Sequence, residues 1–283
     1  MITAPHVYPW MKSPTKDRGH NLVRPGLASM GTEIIIIAFL IFVAALLYST
    51  VGHGGASGYL AVMALFSFAP ETMRPTALIL NICVAAIGAF KFARMGFFSW
   101  RKFYPFAIGS IPFAFIGGRI NLPLPYFKFA VGLALVVAAV LLARNERPAE
   151  DSEVEDAPKT VPLPIAFAVG TGLGLLSGLT GVGGGIYLSP VLLFSGWTNI
   201  RQTAAISAMF ILVNSVAGLT ANLSQTNLSA LPSPAVLITL ALCVVVGGFI
   251  GSSFGASRKH STLVLRRLLA LVLVIAAWKM ILG

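Results

Sequence analysis

Two glycine-rich motifs hold the residues of this chain that are best suited to do chemistry. The first is Gly52-His53-Gly54-Gly55, with Ser57 two residues further on, and the second is Gly181-Val182-Gly183-Gly184-Gly185. Runs of glycine let the backbone leave helical geometry, and the helix that follows then begins with unpaired N–H groups and the positive end of its dipole. An anion is the ligand that such a break suits best.

Close packing between helices is the alternative role for glycine, since small residues let membrane helices approach each other. That interpretation suits other glycines better, because they lie within continuous apolar segments: Gly117, Gly118, Gly247, Gly248 and Gly251. Neither motif is a nucleotide-binding loop, since the G-x-G-x-x-G spacing and a following Lys-Ser/Thr pair are both absent. The two motifs are therefore predicted to form a substrate site.

His53 is the single histidine of the two glycine motifs, at the break between the first two predicted apolar segments. A histidine side chain has an ordinary pKa of about 6.5, so it could take up a proton together with an anion. It could equally be a neutral side chain that binds the backbone carbonyl groups freed by the break. The sequence leaves both roles open.

Amide and hydroxyl side chains elsewhere could bind an oxyanion without adding fixed charge. They are Asn81, Ser207, Asn214 and Ser215, together with Ser57 of the first motif. Hydrogen bonds between helices, worth about 0.6 kcal/mol each, are their alternative role. Because an asparagine costs more to bury without partners than a serine does, Asn81 and Asn214 are the stronger candidates.

Arg74 and Arg201 each stand at the start of an apolar segment. They could attract anions at the two ends of a pathway. Snorkelling of a long side chain to the membrane surface explains them as well, and Glu71 could be the partner of Arg74. Neither arginine is predicted to bind the substrate directly.

Membrane-spanning helices are the elements predicted to position these residues. Of the 283 residues, 57% are hydrophobic and 10% are charged, whereas a soluble domain carries roughly a quarter charged residues. Breaks at Gly, Pro and charged residues separate ten apolar segments. They are residues 33–51, 56–69, 75–93, 102–121, 125–143, 163–180, 185–197, 201–222, 232–254 and 262–282. The predicted fold class is an all-α polytopic membrane protein.

Three ordered matches indicate an internal repeat. Residues 51–55 align with 180–184, residues 74–77 with 201–204, and residues 115–117 with 249–251. In both halves the second apolar segment is too short to cross about 30 Å of hydrocarbon unaided. Short, glycine-interrupted segments at matching places are typical of secondary transporters, whose sites lie between the repeats near the bilayer midplane.

The relative orientation of the repeats depends on the number of spans. Five spans per half make the repeats inverted, whereas re-entrant short segments would leave four spans per half and make them parallel. With the N-terminal tail set aside, the inverted arrangement places twelve Lys and Arg residues on one side and four on the other. Cytoplasmic loops carry the excess of basic residues, so we predict inverted repeats with the helix breaks at their interface and both termini outside.

Four regions follow from this pattern. Residues 1–32 are predicted to be a disordered polar tail, and Met30 is an alternative start of translation, which leaves the presence of residues 1–29 in the natural protein open. Residues 33–143 form the first transmembrane repeat and residues 161–283 the second. Between them lies a charged linker, residues 144–160, with six of the nine acidic residues.

Several other classes of function are not supported. The net charge of +11 comes from basic clusters beside apolar segments, as expected of cytoplasmic loops, so no nucleic-acid binding is predicted. Cys83 and Cys243 lie inside apolar segments and are expected to be core residues, with no disulfide, metal or cofactor. Catalysis is not predicted, because His53 has no second histidine nearby and Glu33 and Glu71 lie at segment ends.

Four stretches together resemble the sulfite exporter TauE/SafE family of membrane permeases: VGHGGASGYLAVMAL, RPTALILNICVA, SGLTGVGGGIYLSPVLL and AISAMFILVNSVAGL. The resemblance covers about residues 33–282 and implies a secondary carrier for small anions, chiefly sulfite, sulfonates and related organic acids. The family's motifs fall on Gly52, Gly54, Gly55, Asn81, Gly181, Gly183, Gly184, Gly185, Ser207, Asn214 and Ser215. The halves differ, because Ala56 stands where the second half has Gly185 and His53 stands where the second half has Val182.

The predicted function is therefore alternating access of a small anion, with a proton as a candidate coupled ion, in the cytoplasmic membrane of a bacterium. An anion channel is the main alternative, since repeats and half-helices also build pores. An intramembrane enzyme is a weaker alternative, because the sequence offers no nucleophile and base pair within the spans.

Overall fold

The computed structural model describes residues 27–50, 52–143, 161–225 and 231–256, together with six residues near the C-terminus. Within these ranges the regular structure is α-helical, in nine helices. They are α1 (Leu27–Ser49), α2 (Ala56–Leu65), α3 (Pro70–Arg94), α4 (Trp100–Arg119), α5 (Leu124–Ala143), α6 (Leu163–Thr180), α7 (Gly185–Phe194), α8 (Ile200–Leu223) and α9 (Pro234–Ala256). The six further residues, which fall in the predicted tenth segment, are also helical: Leu271, Val274, Ile275, Ala277, Trp278 and Ile281.

Two predicted boundaries differ from the structure. Helix α1 begins at Leu27, so residues 27–32 are helical rather than part of a polar tail; residues 1–26 and the linker at 144–160 lie outside the described residues. Helix α3 begins at Pro70, with Ala69 as its N-cap, and continues through Pro75. A proline is favourable in the first turn of a helix. The predicted start at Pro75 was therefore wrong by five residues.

The helices that follow the two glycine motifs are short, as predicted, and they end three or four residues before the predicted ends at 69 and 197. Helix α6 ends at Thr180, and the short helices α2 and α7 have 10 residues each. At 1.5 Å per residue, each short helix is about 15 Å long, which is half of a hydrocarbon core. Both are thus half-helices.

The outer surface of the helix bundle is apolar. Among the described residues, five helices are long and apolar enough to cross a membrane: residues 32–49, 70–94, 163–180, 201–223 and 234–254. Large apolar side chains point outward from them, among them Phe39, Ile238, Leu242 and Phe249. Exposed apolar surface on this scale suits a lipid environment rather than water.

Two pairs of helices pack through glycine. On α6, Gly170, Gly174 and Gly178 leave no room for a Cβ atom, because the backbone of α4 lies against them at Phe106, Ser110 and Ala114. On α9, Gly247 and Gly251 lie in the same way against the backbone of α1 at Phe42 and Leu46. In each pair the residue numbers of the contacting positions increase together along both helices, so the two helices are parallel. The packing role predicted for Gly247 and Gly251 is confirmed, as it is for Gly117, which lies against the α6 backbone.

Helices α3 and α8 cross the centre of the bundle. Asn81 of α3 is hydrogen-bonded to Ser215 of α8 over 3.2 Å. Further along α3, Gly88 contacts Ala208, which is earlier in α8. Since the partners descend in α8 as they ascend in α3, the two helices are antiparallel.

Candidate binding site at the two helix breaks

The first two glycines of each motif share one backbone conformation, whereas the third differs, with φ of 149° at Gly55 and 77° at Gly184. Gly52 and Gly54 have φ of 74° and 72°, and the corresponding Gly181 and Gly183 have φ of 81° and 84°. These values lie in the left-handed region, which residues with a Cβ avoid. Glycine is thus required at both places, and the repeat detected in the sequence is also a repeat of backbone geometry.

Each break leads into a half-helix whose N-terminus is buried and uncapped. The N-cap residues are Gly55 for α2 and Gly184 for α7, and neither offers a side chain to the first turn. Backbone N–H groups at the start of these helices, such as those of Ala56 and Gly185, donate no hydrogen bond to any residue that the structure describes. Buried amides of this kind, added to the positive end of the helix dipole, favour an anionic ligand.

Asn81 lies where the two breaks meet. A Cβ atom on Gly54 would be 2.5 Å from Asn81 Oδ1, and one on Gly183 would press on Asn81 Nδ2. The same Nδ2 donates hydrogen bonds to the carbonyl of Val182, over 3.3 Å, and to Ser215 Oγ, over 3.2 Å. Asn81 is near the middle of α3, so the two breaks meet near half the depth of the bundle.

Polar atoms at this junction are buried with no hydrogen-bond partner among the described residues. At the junction they are Asn81 Oδ1 and Ser177 Oγ, and both side-chain atoms of Asn214, the residue before Ser215 in α8, are in the same state. The side chains of Asn81 and Asn214 are fully buried, and Ser177 contacts Gly184. Unpartnered buried polar atoms cost about 1–3 kcal/mol each. Buried polar atoms are normally hydrogen-bonded, so these side chains hold donors and acceptors that the described residues do not use.

His53 and Ser207 meet through a serine that the sequence did not single out. Nε2 of His53 lies 2.6 Å from Ser189 Oγ, and Ser189 Oγ lies 2.8 Å from Ser207 Oγ. This chain of hydrogen bonds links the first break to α7 and α8. It lies one helical turn away from the α7 N-terminus, so His53 borders the junction.

Other candidate residues contribute to packing between helices. The hydroxyl of Ser57 donates to the hydroxyl of Tyr48 over 2.8 Å, so it joins α2 to α1. Gly52 packs on the backbone of Ala204. Gly185 packs on Ile211 and on the carbonyl of Ser207, which explains why the second half needs glycine where the first half has Ala56.

Arg74 holds two helix ends together. Its Nη1 donates to the carbonyl of Ile120 over 3.0 Å, and its Nη2 donates to the carbonyls of Gly117, over 2.5 Å, and Gly178. These carbonyls belong to the last turns of α4 and α6 or the residue just after. Each helix C-terminus carries about half a negative charge, so two of them neutralise one guanidinium.

Two of the roles considered for Arg74, snorkelling to the membrane surface and pairing with Glu71, were therefore wrong. Only 5% of its surface is exposed, so it does not snorkel, and its described hydrogen bonds are to carbonyl groups rather than to Glu71. Its counterpart Arg201 is half-buried and lies 5.3 Å from the ring of Phe97. The sequence shows that Arg74 and Arg201 occupy matching positions in the two repeats. It does not show that Arg74 is the one that faces the ends of two helices.

Among the described residues, no metal-binding cluster lies at the junction, and the apolar cavity between α4 and α8 lies apart from it. Within the described ranges, no three His, Cys, Asp or Glu side chains come together to hold a metal ion. A cavity of about 500 Å³ opens between α4 and α8, with an apolar lining that includes Trp100, Tyr104 and Val213. None of the glycines of the two breaks lines it.

An apolar outer surface, several apolar helices of spanning length and two half-helices that start inside the bundle define an integral, multi-pass membrane protein. Transporters are the class in which such discontinuous helices form a site at the bilayer midplane. Comparison with known proteins agrees: the chain belongs to the sulfite exporter TauE/SafE family, which matches residues 37–280. It is thus a membrane transporter of that family.

Two relatives carry the same general description. The probable membrane transporter protein y4hK of Sinorhizobium fredii is 42% identical over 252 residues, which are 89% of this chain and all of the relative. The probable membrane transporter protein MJ0441 of Methanocaldococcus jannaschii is 25% identical over 258 residues, which are 84% of this chain and 92% of the relative. No solved structure matches the chain.

Proposed function

We propose that this protein is a secondary transporter of small anions, with sulfur oxyanions and organosulfonates as the substrate class, and that the two helix breaks form its binding site. The observation that carries the proposal is the junction at Asn81. Two buried, uncapped helix N-termini converge there beside amide side chains whose polar atoms lack partners. Backbone amides and the Nδ2 group of Asn214 would donate to the oxygens of the anion.

The acceptor at the junction narrows the substrate class. Asn81 Oδ1 is buried and has no donor among the described residues. An anion that also carries a proton or a hydroxyl group, as hydrogen sulfite does, would supply both the acceptors for the amides and a donor for this oxygen. A fully deprotonated dianion would leave Oδ1 unpaired. We therefore propose, as the transported form, a monoanion that also carries a hydrogen-bond donor, which in an organosulfonate would be a hydroxyl or amino group.

Inverted repeats are the arrangement we propose for the two halves. In repeat order, α3 corresponds to α8, and these two helices are antiparallel around Asn81 and Ser215. The pair α1 and α9 corresponds to the pair α6 and α4, and both pairs pack through glycine. A two-fold axis perpendicular to the helices relates such pairs, and it would lie in the membrane plane. Alternating access between the repeats, in the cytoplasmic membrane of a bacterium, is the proposed mechanism, with a proton as the coupled ion.

Flux into proteoliposomes tests the proposal. Purified protein would be reconstituted and tested with sulfite, thiosulfate, a sulfonate and acetate, with and without a proton gradient. We expect saturable uptake of sulfur monoanions that Asn81→Ala and Asn214→Ala reduce, with Thr239→Val as a control on the lipid-exposed face of α9, where the hydroxyl only bonds to the carbonyl of Ala235. Absence of flux for every sulfur anion in the panel would refute the substrate class, and ionic currents far above carrier turnover would show a channel instead.

A further inference from the structure

Ser189 makes three polar contacts through one oxygen. Its Oγ lies 2.6 Å from His53 Nε2, 2.8 Å from Ser207 Oγ and 3.1 Å from the carbonyl oxygen of Gly185. Ser189 and Ser207 are both buried. The contact with His53 connects the break of the first repeat to a half-helix of the second.

Proton counting decides the direction of these hydrogen bonds. A serine hydroxyl has one proton to donate and can accept two hydrogen bonds, whereas a carbonyl oxygen only accepts. All three contacts are hydrogen bonds only when Ser189 donates to Gly185 and accepts from both His53 and Ser207. In that arrangement, Nε2 of His53 carries a proton.

The other two arrangements each lose one hydrogen bond. If Ser189 donated to His53 Nε2, its lone pairs would face the carbonyl oxygen of Gly185 at 3.1 Å. If it donated to Ser207, the carbonyl of Gly185 would again lose this hydrogen bond, and the proton of Ser207 would have no acceptor among the described residues. In that arrangement Nε2 of His53 would still carry the proton and donate to Ser189. One lost hydrogen bond corresponds to about a five-fold difference in population.

We propose that Ser189 is a positioning residue for His53, which it holds in the tautomer with the proton on Nε2, so that Nδ1 is the ring atom at which a proton is gained or lost. This inference rests on the proposed function, in which His53 takes part in coupling. The neutral Nε2–H ring and the doubly protonated ring make the same hydrogen bond to Ser189. A proton can therefore arrive or leave without rearrangement of Ser189 and Ser207.

Nitrogen NMR of the full chain, labelled with ¹⁵N-histidine and held in lipid nanodiscs, tests the assignment. The spectra would be recorded about two pH units above the ordinary histidine pKa, and His53→Gln would identify the signals of this ring among the 4 histidines. We expect the Nε2–H tautomer in the wild type and a tautomer ratio about five-fold lower in Ser189→Ala. Ser207→Ala should keep the wild-type ratio, because Ser189 can still donate to Gly185 and accept from His53.

Ser252→Ala is the matched control, since Ser252 is also buried and its hydroxyl bonds to a backbone carbonyl of its own helix. A wild-type ring with its proton on Nδ1 would overturn the assignment, and so would an equal effect of Ser189→Ala and Ser207→Ala. The wild-type spectrum tests the tautomer assignment even if Ser189→Ala fails to fold. Flux measured on the same preparations separates the two proposals: tautomer ratios in the expected order without anion flux would refute the transport function alone.

Discussion

Replacement of Arg74 by methionine is expected to destabilise the protein more than the same replacement of Arg201. Methionine keeps most of the apolar volume but removes every hydrogen bond that the guanidinium makes to the ends of α4 and α6. The carbonyl of Gly117 would keep a second donor, the N–H of Ile120. The carbonyls of Ile120 and Gly178 would lose their only described donor.

The magnitude follows from those two carbonyls. A buried acceptor without a partner costs about 1–3 kcal/mol, so Arg74→Met should lower the free energy of unfolding by about 2–6 kcal/mol. Relief of the cost of burying a charge offsets part of this loss, but the two helix C-termini would keep their partial negative charges. The free energy of unfolding of Arg74→Lys should lie between those of the wild type and Arg74→Met, because an ammonium group cannot bind the carbonyls as a planar fork.

Thermal unfolding in nanodiscs, followed by tryptophan fluorescence, measures the effect. In chains of roughly this size 1 kcal/mol shifts Tm by about 2–4 °C, so we expect Arg74→Met to melt about 5–20 °C below the wild type. Arg201→Met is the matched control, since the interaction described for this half-buried arginine is with the ring of Phe97, a contact worth about 0.5–1 kcal/mol in exposed pairs. If both variants melted within about 2 °C of the wild type, the role assigned to Arg74 would be wrong.

Three further outcomes follow from the site and the packing. Gly183→Ala should reduce anion flux about ten-fold or more, since the left-handed backbone alone costs about 1–2 kcal/mol and the new methyl group would press on Asn81. Gly96→Ala is the control, because Gly96 has φ of 77° and open space around it. An equal loss of flux in both variants would contradict the reasoning. Asn214→Leu should raise Tm by a few degrees while it lowers flux, because it removes two buried atoms without partners; a lower Tm would show that these atoms are satisfied. Gly174→Ile should prevent folding, as judged by size-exclusion chromatography, because the α4 backbone occupies the space, whereas Gly172→Ile, with nothing within 4 Å, should fold normally.

Features that depend on local sequence were predicted well. The two half-helices and the breaks at Gly52 and Gly181 followed from glycine runs beside apolar segments, because backbone freedom at glycine is a property of the residue itself. The end of α6 at Thr180 was predicted for the same reason. Pro75 misled the prediction of α3, since a proline early in a helix is as compatible with its first turns as with a break.

Features that depend on contacts across the chain could not be predicted in this way. Ser189 looks like any small residue of an apolar helix, and its role depends on His53, which is 136 positions away. The contact of Arg74 with the end of α6 joins residues that are 104 positions apart. The four-residue spacing of Gly170, Gly174 and Gly178 was a usable signal for close helix packing that the sequence analysis missed.

The glycine-packed pairs affect how the protein must be made. Helix α1 packs against α9, and α4 packs against α6, so both glycine-packed pairs join a helix of the first half to a helix of the second half. During synthesis α1 enters the bilayer and waits for its partner while roughly 200 further residues are translated, which takes about 10–40 s. The first half alone would leave the α1 and α4 surfaces without partners. Biogenesis therefore depends on a holding step, by the insertion machinery or by lipid, and the two halves expressed as separate polypeptides should be stable only when they are produced together.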